Sequence, residues 1–150
     1  MYLPYILMAL LAGAGLASQA AINSRLAQAM LGQPLVAALI SFATGTLALL
    51  LLCWWKTDLS SALQQLPQQP LWKWLGGILG MAGVFTTIFL APKLGVTNML
   101  FFIIVGQILT AAIIDHLGLF GMNIRPFETQ QLIGLIIVFA GLGIYFLGRN

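Results

Sequence analysis

Apolar residues run along this chain in five blocks, each about as long as a bilayer core is thick, with short polar punctuation between them. A run of ~20 apolar residues reads as a membrane-spanning helix, because a helix satisfies its own backbone hydrogen bonds where no water can. The pattern predicts spans over 4–31, 34–55, 72–91, 95–115 and 129–147, all within a single membrane domain, 1–150. The first would be roughly 42 Å long at 1.5 Å per residue, longer than the core, so it tilts or projects. It could be mistaken for a signal peptide, but no Lys or Arg precedes the run and it outlasts a typical apolar signal region. Gly32 suits the position just past a helix end, and Pro34 suits a first helical position. With only Gly32-Gln33 between them, spans one and two are expected to be antiparallel neighbours.

Polar residues inside the blocks are few. Gln107 lies near the middle of the fourth, Leu94–Asp115, which carries no charge before its last residue. Leaving its amide unpaired in hydrocarbon costs several kcal/mol. It therefore either pairs with another helix or lines a polar pocket, and Thr110 follows three residues on. In the first block Gln19 and Asn23 are four apart and share a helix face. Ser41 and Thr44 give the second block a mildly polar patch, although such hydroxyls can also bond back to their own helix. Ala9, Gly13, Ala17 and Ala21, with Ala20 and Ser24 beside them, form a small-residue stripe. Gly76, Gly80 and Gly83 form another, and both suit close helix contact. Pro92-Lys93-Leu94-Gly95 reads as a turn between spans three and four.

Composition sharpens this picture. The 150 residues are 61% hydrophobic and 6% charged, against roughly a quarter charged in soluble domains, so the chain has no adequate aqueous surface. Mean hydropathy is +1.02. The class is an all-α integral membrane protein. The formal charge of +3 comes from basic residues scattered singly, which form no patch for nucleic acid and fit juxtamembrane anchoring instead. Trp54-Trp55-Lys56 and Trp72-Lys73-Trp74 are such anchors. One cysteine, Cys53, offers neither a disulfide nor a metal site. Asp115, His116, Arg125 and Glu128 are the densest ionisable cluster. Asp115 and His116 are read either as a proton-coupling or gating pair or as a water-exposed helix end. An acid is disfavoured at a helix C-terminus, so Asp115 is expected to have a partner, His116 or Arg125.

Five spans place the termini on opposite sides of the membrane. Lys56, Lys73 and Arg125 then mark one face, and Arg25, Lys93 and Arg149 the other. Orientation normally follows an excess of Lys and Arg on the cytoplasmic side, and here there is none. Either a weaker cue fixes one orientation, or the chain inserts both ways up and pairs with an inverted copy. The second would build from two chains the inverted repeat seen within many transporters.

The order of motifs is itself informative. Gln19-x-x-x-Asn23 with Leu26, then Pro34, Ser41-Phe42 and Gly45-Thr46, resembles the YdcZ family of the drug/metabolite transporter superfamily. So do Trp74-x-Gly76-Gly77-x-x-Gly80, Pro92-x-Leu94-Gly95, Gly106-Gln107 and Asp115-His116-x-Gly118-x-x-Gly121. The resemblance covers essentially the whole chain. It implies a five-helix, multi-pass protein of the bacterial inner membrane, occurring singly, in pairs, or fused to ten helices, that moves small organic solutes. Arg25, just after Asn23, is less typical of the family and must snorkel or pair if it lies at membrane depth.

The reading that joins these strands is a secondary transporter, in the exporting direction, working by alternating access at a midplane site. Its assembly would be a ten-helix antiparallel homodimer, or a heterodimer with a homologue, embedded in lipid. The candidate substrate-binding residues are Gln107, Gln19, Asn23, Thr110, Ser41 and Thr44, and Asp115 and His116 are the candidate coupling or gating groups. No Asp or Glu lies at the centre of a span, which points away from hydrophobic cations and toward a neutral or zwitterionic polar solute. No cofactor is expected. Nor is an enzyme, since G-x-S-x-G, H-E-x-x-H and a phosphate-binding Gly loop are all missing. The alternative is a non-transporting membrane subunit whose amides and glycines serve assembly alone.

Overall fold

The computed structural model describes residues 2–147, which are helical apart from connections. Helix α1 is Leu3–Ala29, α2 Pro34–Lys56, α3 Leu59–Gln64, α4 Leu75–Leu94, α5 Val96–Leu117 and α6 Thr129–Leu147. Four segments are long and apolar enough to cross a membrane: Leu3–Ala29, Pro34–Lys56, Leu71–Leu94 and Val96–Leu117. The chain divides into two compact units, Met1–Met99 and Leu100–Asn150.

In the first unit α1, α2 and α4 pack together. Helix α1 ends where the Gly32 N–H reaches back to the Ala27 carbonyl at 2.9 Å, with Gly32 at φ 73, a conformation glycine adopts without the steric cost of a Cβ. Pro34 then opens α2, its missing N–H costing nothing there. The core is built from small residues: Ala27, Ala37 and Ala38 meet Ile88, with Leu26 and Val84 against them. Ala20, Ala91 and Met99 are also buried. Alanine lets helix backbones come close, which is how membrane helices gain packing contacts when lipid is as apolar as the core. Toward the far ends of the three helices the side chains are open, as lipid-facing residues can be without penalty.

The small-residue contact differs from the expected stripe. The buried face of α1 is Ala20, Asn23, Ser24 and Ala27, whereas Ala9, Gly13 and Ala21 are exposed. Among the described residues the buried part of α1 lies toward its tight turn into α2, with Ala17 half-buried at its edge. A Cβ placed on Gly76, Gly80 or Gly83 would likewise meet nothing within 4 Å. The expected turn at Pro92 is also shorter than the sequence suggests. Helix α4 continues through Pro92 to Leu94, and the break is Gly95 alone, at φ 78 and ψ 151. Pro92 removes its own hydrogen bond, but the Gly95 N–H still closes on the Ala91 carbonyl at 3.0 Å.

The polar connection after α2 has structure of its own. Thr57 caps α2 through bonds to the Cys53 carbonyl from its N–H, 2.9 Å, and its hydroxyl, 2.7 Å. Lys56 sits 4.2 Å over the Trp55 ring and Lys73 5.8 Å from the Trp72 ring, so the two aromatic–basic anchors flank this connection. Asp58 caps α3, accepting from the Ser61 hydroxyl, the Ser61 N–H and the Ser60 hydroxyl. Those bonds, the Ser61 hydroxyl first, hold the carboxyl below its ordinary value. A depressed carboxyl stabilises the fold fully above the unfolded-state value, and that support disappears as pH falls through the folded-state value. Titration toward strong acid should therefore unravel α3 before the apolar helices. Amide exchange at Ser61 should follow Asp58 protonation, and Asp58→Asn should flatten that dependence.

In the second unit α5 and α6 run side by side in opposite directions. At one end the Phe101 and Tyr145 rings are 5.6 Å apart and tilted by 44°. At the other end the loop folds back beneath α5, where the Arg125 N–H donates to the Asp115 carbonyl at 2.8 Å.

Candidate functional site

Four candidate residues belong to α1 and α2, and two of them meet across the pair. Asn23, 4% exposed, donates through Nδ2 to the Ser41 hydroxyl at 3.1 Å, so the structure joins these two across the helix pair. An amide at this depth gains a partner it could not find in lipid. Gln19, one turn away on the Asn23 face, is exposed. Thr44 is turned onto its own helix, donating to the Ile40 and Ser41 carbonyls at 3.1 and 2.9 Å. Ser18, Thr86 and Thr87 do the same with Ala14, Ala82 and Val84. Such back-bonding is how a hydroxyl satisfies itself within a membrane helix.

Gln107 and Thr110 belong to α5 in the other unit. Both are exposed, and neither makes a hydrogen bond among the described residues. Gln107 sits near the middle of a 22-residue helix, where water is farthest away.

The ionisable cluster gathers at the end of α5. His116 Nδ1 accepts the Phe127 N–H at 3.0 Å, which assigns the ring proton of a neutral imidazole to Nε2. Of the two partners expected for Asp115, His116 is thus committed to the loop. Arg125 reaches Asp115 through main-chain atoms. Beside this contact α5, the loop and α6 border a half-open cavity of about 450 Å³, lined by Ile108, Ala112, Asp115, Arg125, Gln131 and Val138 among others. Asp115 and Arg125 face the same cavity. Gln131 caps α6, its Oε1 accepting the Glu128 N–H at 3.0 Å, the reciprocal half of a capping box. A second, more apolar hollow lies on the His116 side of Phe127. Among the described residues no three His, Cys, Asp or Glu side chains gather as metal ligands.

The loop is held by a glycine. Gly118 has φ 62, and a Cβ there would stand 2.7 Å from Ile124 Cγ1 and 3.1 Å from the Met122 carbonyl oxygen. Gly118→Ala should destabilise the loop by about 1–2 kcal/mol from the left-handed backbone alone, with displacement of Ile124 in addition. The expected sign is faster hydrogen exchange at the Phe127 amide, whose bond to His116 depends on the loop staying in place.

Sequence reasoning singled out Asp115 and placed Arg125 in its neighbourhood, but it passed over Gln131. The available signal was its spacing, three residues after Glu128 at a helix start.

A family model described as "Putative inner membrane exporter, YdcZ" matches residues 4–144. No match was found among curated proteins or among solved structures. The family match spans almost the whole chain, and the helices it covers are apolar and long enough to cross a bilayer. The chain is accordingly a multi-pass inner-membrane protein and belongs to the YdcZ family of the drug/metabolite transporter superfamily.

Proposed function

We propose that this protein is a secondary exporter of a small polar or zwitterionic organic solute, and that it works by alternating access. The observation that carries this reading is Gln107: an amide at the centre of an apolar helix, exposed and with no partner among the described residues. A solute in a wet midplane chamber would supply the missing bonds. The family description supports the exporting direction. Asn23 and Ser41 contribute a second polar point at depth, and Gln19 and Thr110 extend the two polar faces. In this reading α6, 19 residues long and apolar after its first turn, is the fifth span. Asp115 and His116 lie at the end of α5, where they can gate or couple.

The working unit in this proposal is an antiparallel pair of chains, ten helices in all, and the domain is the whole chain. Gly76, Gly80 and Gly83 in α4 are open to close approach by a second copy, since among the described residues nothing lies within 4 Å of a Cβ placed on them. Balanced basic residues remove the usual cue for one orientation.

Two measurements test this. Reporters fused to the C-terminus, one active only in the cytoplasm and one only outside, should give comparable signals. A signal from one side alone would end the inverted-pair idea. Purified protein in liposomes loaded with a mixed extract of polar metabolites should release a subset faster than protein-free liposomes. Equal retention of every solute would leave the non-transporting subunit as the reading.

A further inference from the structure

The cavity between α5 and α6 has a chemistry independent of the midplane reading. Its walls are apolar, with Ile108, Val138 and Leu135 along it. Among its lining residues are an acid, Asp115, and a base, Arg125. Opposite charges that share a cavity ordinarily close on one another. Here no ion pair within 4.0 Å joins them among the described residues. What links the two residues is main chain, Arg125 N–H to Asp115 carbonyl. That bond fixes the two backbones and leaves both charged groups open to a third party. Asp115 stands in the last turn of α5, where the helix dipole disfavours an anion, so a cation brought to it is doubly favoured. Gln131 adds a donor: its Oε1 is held by the Glu128 N–H, which leaves its NH₂ free to face an oxyanion.

We propose that this cavity binds an amphipathic zwitterion. The ligand carries a primary ammonium for Asp115, an oxyanion for Arg125 and Gln131, and an apolar part that lies along Ile108, Leu135 and Val138. A cavity of about 450 Å³ is within the usual range for small-ligand sites. Two sources present this chemistry: a free amino acid with an apolar side chain, and an aminophospholipid headgroup whose acyl chain runs along the helices.

The test uses the full chain purified in detergent and exchanged into phosphatidylcholine nanodiscs. Leucine binding is followed by calorimetry. Phosphatidylethanolamine binding is followed by native mass spectrometry, with phosphatidylglycerol, which has an oxyanion but no ammonium, as the comparison lipid. One of the two zwitterions should bind. Asp115→Asn and Arg125→Gln should each weaken it about tenfold or more, the loss of one charge-assisted contact. Both substitutions are close in shape, and neither touches the main-chain bond that anchors the loop, so elution volume and helicity should be unchanged. Leucine binding with that charge dependence identifies a solute site, and phosphatidylethanolamine binding identifies a lipid site. The proposal is overturned if neither binds, if phosphatidylglycerol binds as well as phosphatidylethanolamine, or if both variants bind like the wild type.

Discussion

Replacing Gln107 by Ala should reduce solute efflux to the level of protein-free liposomes while leaving the helices and their assembly intact. The residue is exposed on α5 and makes no hydrogen bond among the described residues, so its removal breaks none of the bonds seen there. Alanine is the better helix former by a few tenths of a kcal/mol, so α5 itself should be at least as stable. What disappears is a donor and an acceptor at the one depth where neither lipid nor backbone can replace them. If the amide contacts the solute, losing one or two hydrogen bonds in a site of low dielectric should slow flux by about ten- to a hundredfold or more. Gln107→Asn, which keeps the amide but draws it back by one methylene, should retain part of the activity. Thr110→Ala, one turn along, should have a smaller effect. Wild-type efflux in Gln107→Ala would remove this residue from the transport path. A variant that loses self-association instead would recast its amide as an interchain hydrogen bond.

Much of the framework can be read from the chain alone, because the bilayer imposes so strict a rule on the backbone. Apolar length and polar interruption locate α1, α2, α4, α5 and α6 to within a few residues. Gly32 and Pro34 are legible as a stop and a start because each has one conformational role to play. Pro92 misleads for the opposite reason: proline in a last turn costs one hydrogen bond, and a following glycine can end the helix three residues later. Register between helices is the less legible level. Spacing puts Gln19 and Asn23 on one face and Ser41 and Thr44 on another. It does not say which rungs meet, and the Asn23–Ser41 bond comes from how far α1 and α2 slide past each other. The polar cavity is less legible still. Arg125 and Gln131 line the same cavity as Asp115 because the loop folds back under α5, and that depends on Gly118 tolerating φ 62.

The largest effect on stability should come from Ala37. It is 0% exposed and sits where α1, α2 and α4 meet, against Ala27, Ala38 and Ile88. Ala37→Leu adds three carbons to a contact that exists because its partners are small. Inserting extra methylenes into a filled core costs about 1–3 kcal/mol, and the upper part of that range is expected here. A side chain at the middle of a three-helix contact has no open direction, and Ile88 beside it is itself fully buried. Ala43→Leu on the same helix provides the reference, because Ala43 is exposed and leucine faces lipid there as comfortably as alanine. The two substitutions carry nearly the same helix-propensity term, so their difference reports packing. Thermal unfolding in detergent micelles should show Ala37→Leu markedly lowered and Ala43→Leu close to wild type. Equal behaviour of the pair would mean that the alanine contact does not hold the first unit together. The Asn23–Ser41 bond, one turn or so farther along the same seam, would then be the principal tie between α1 and α2.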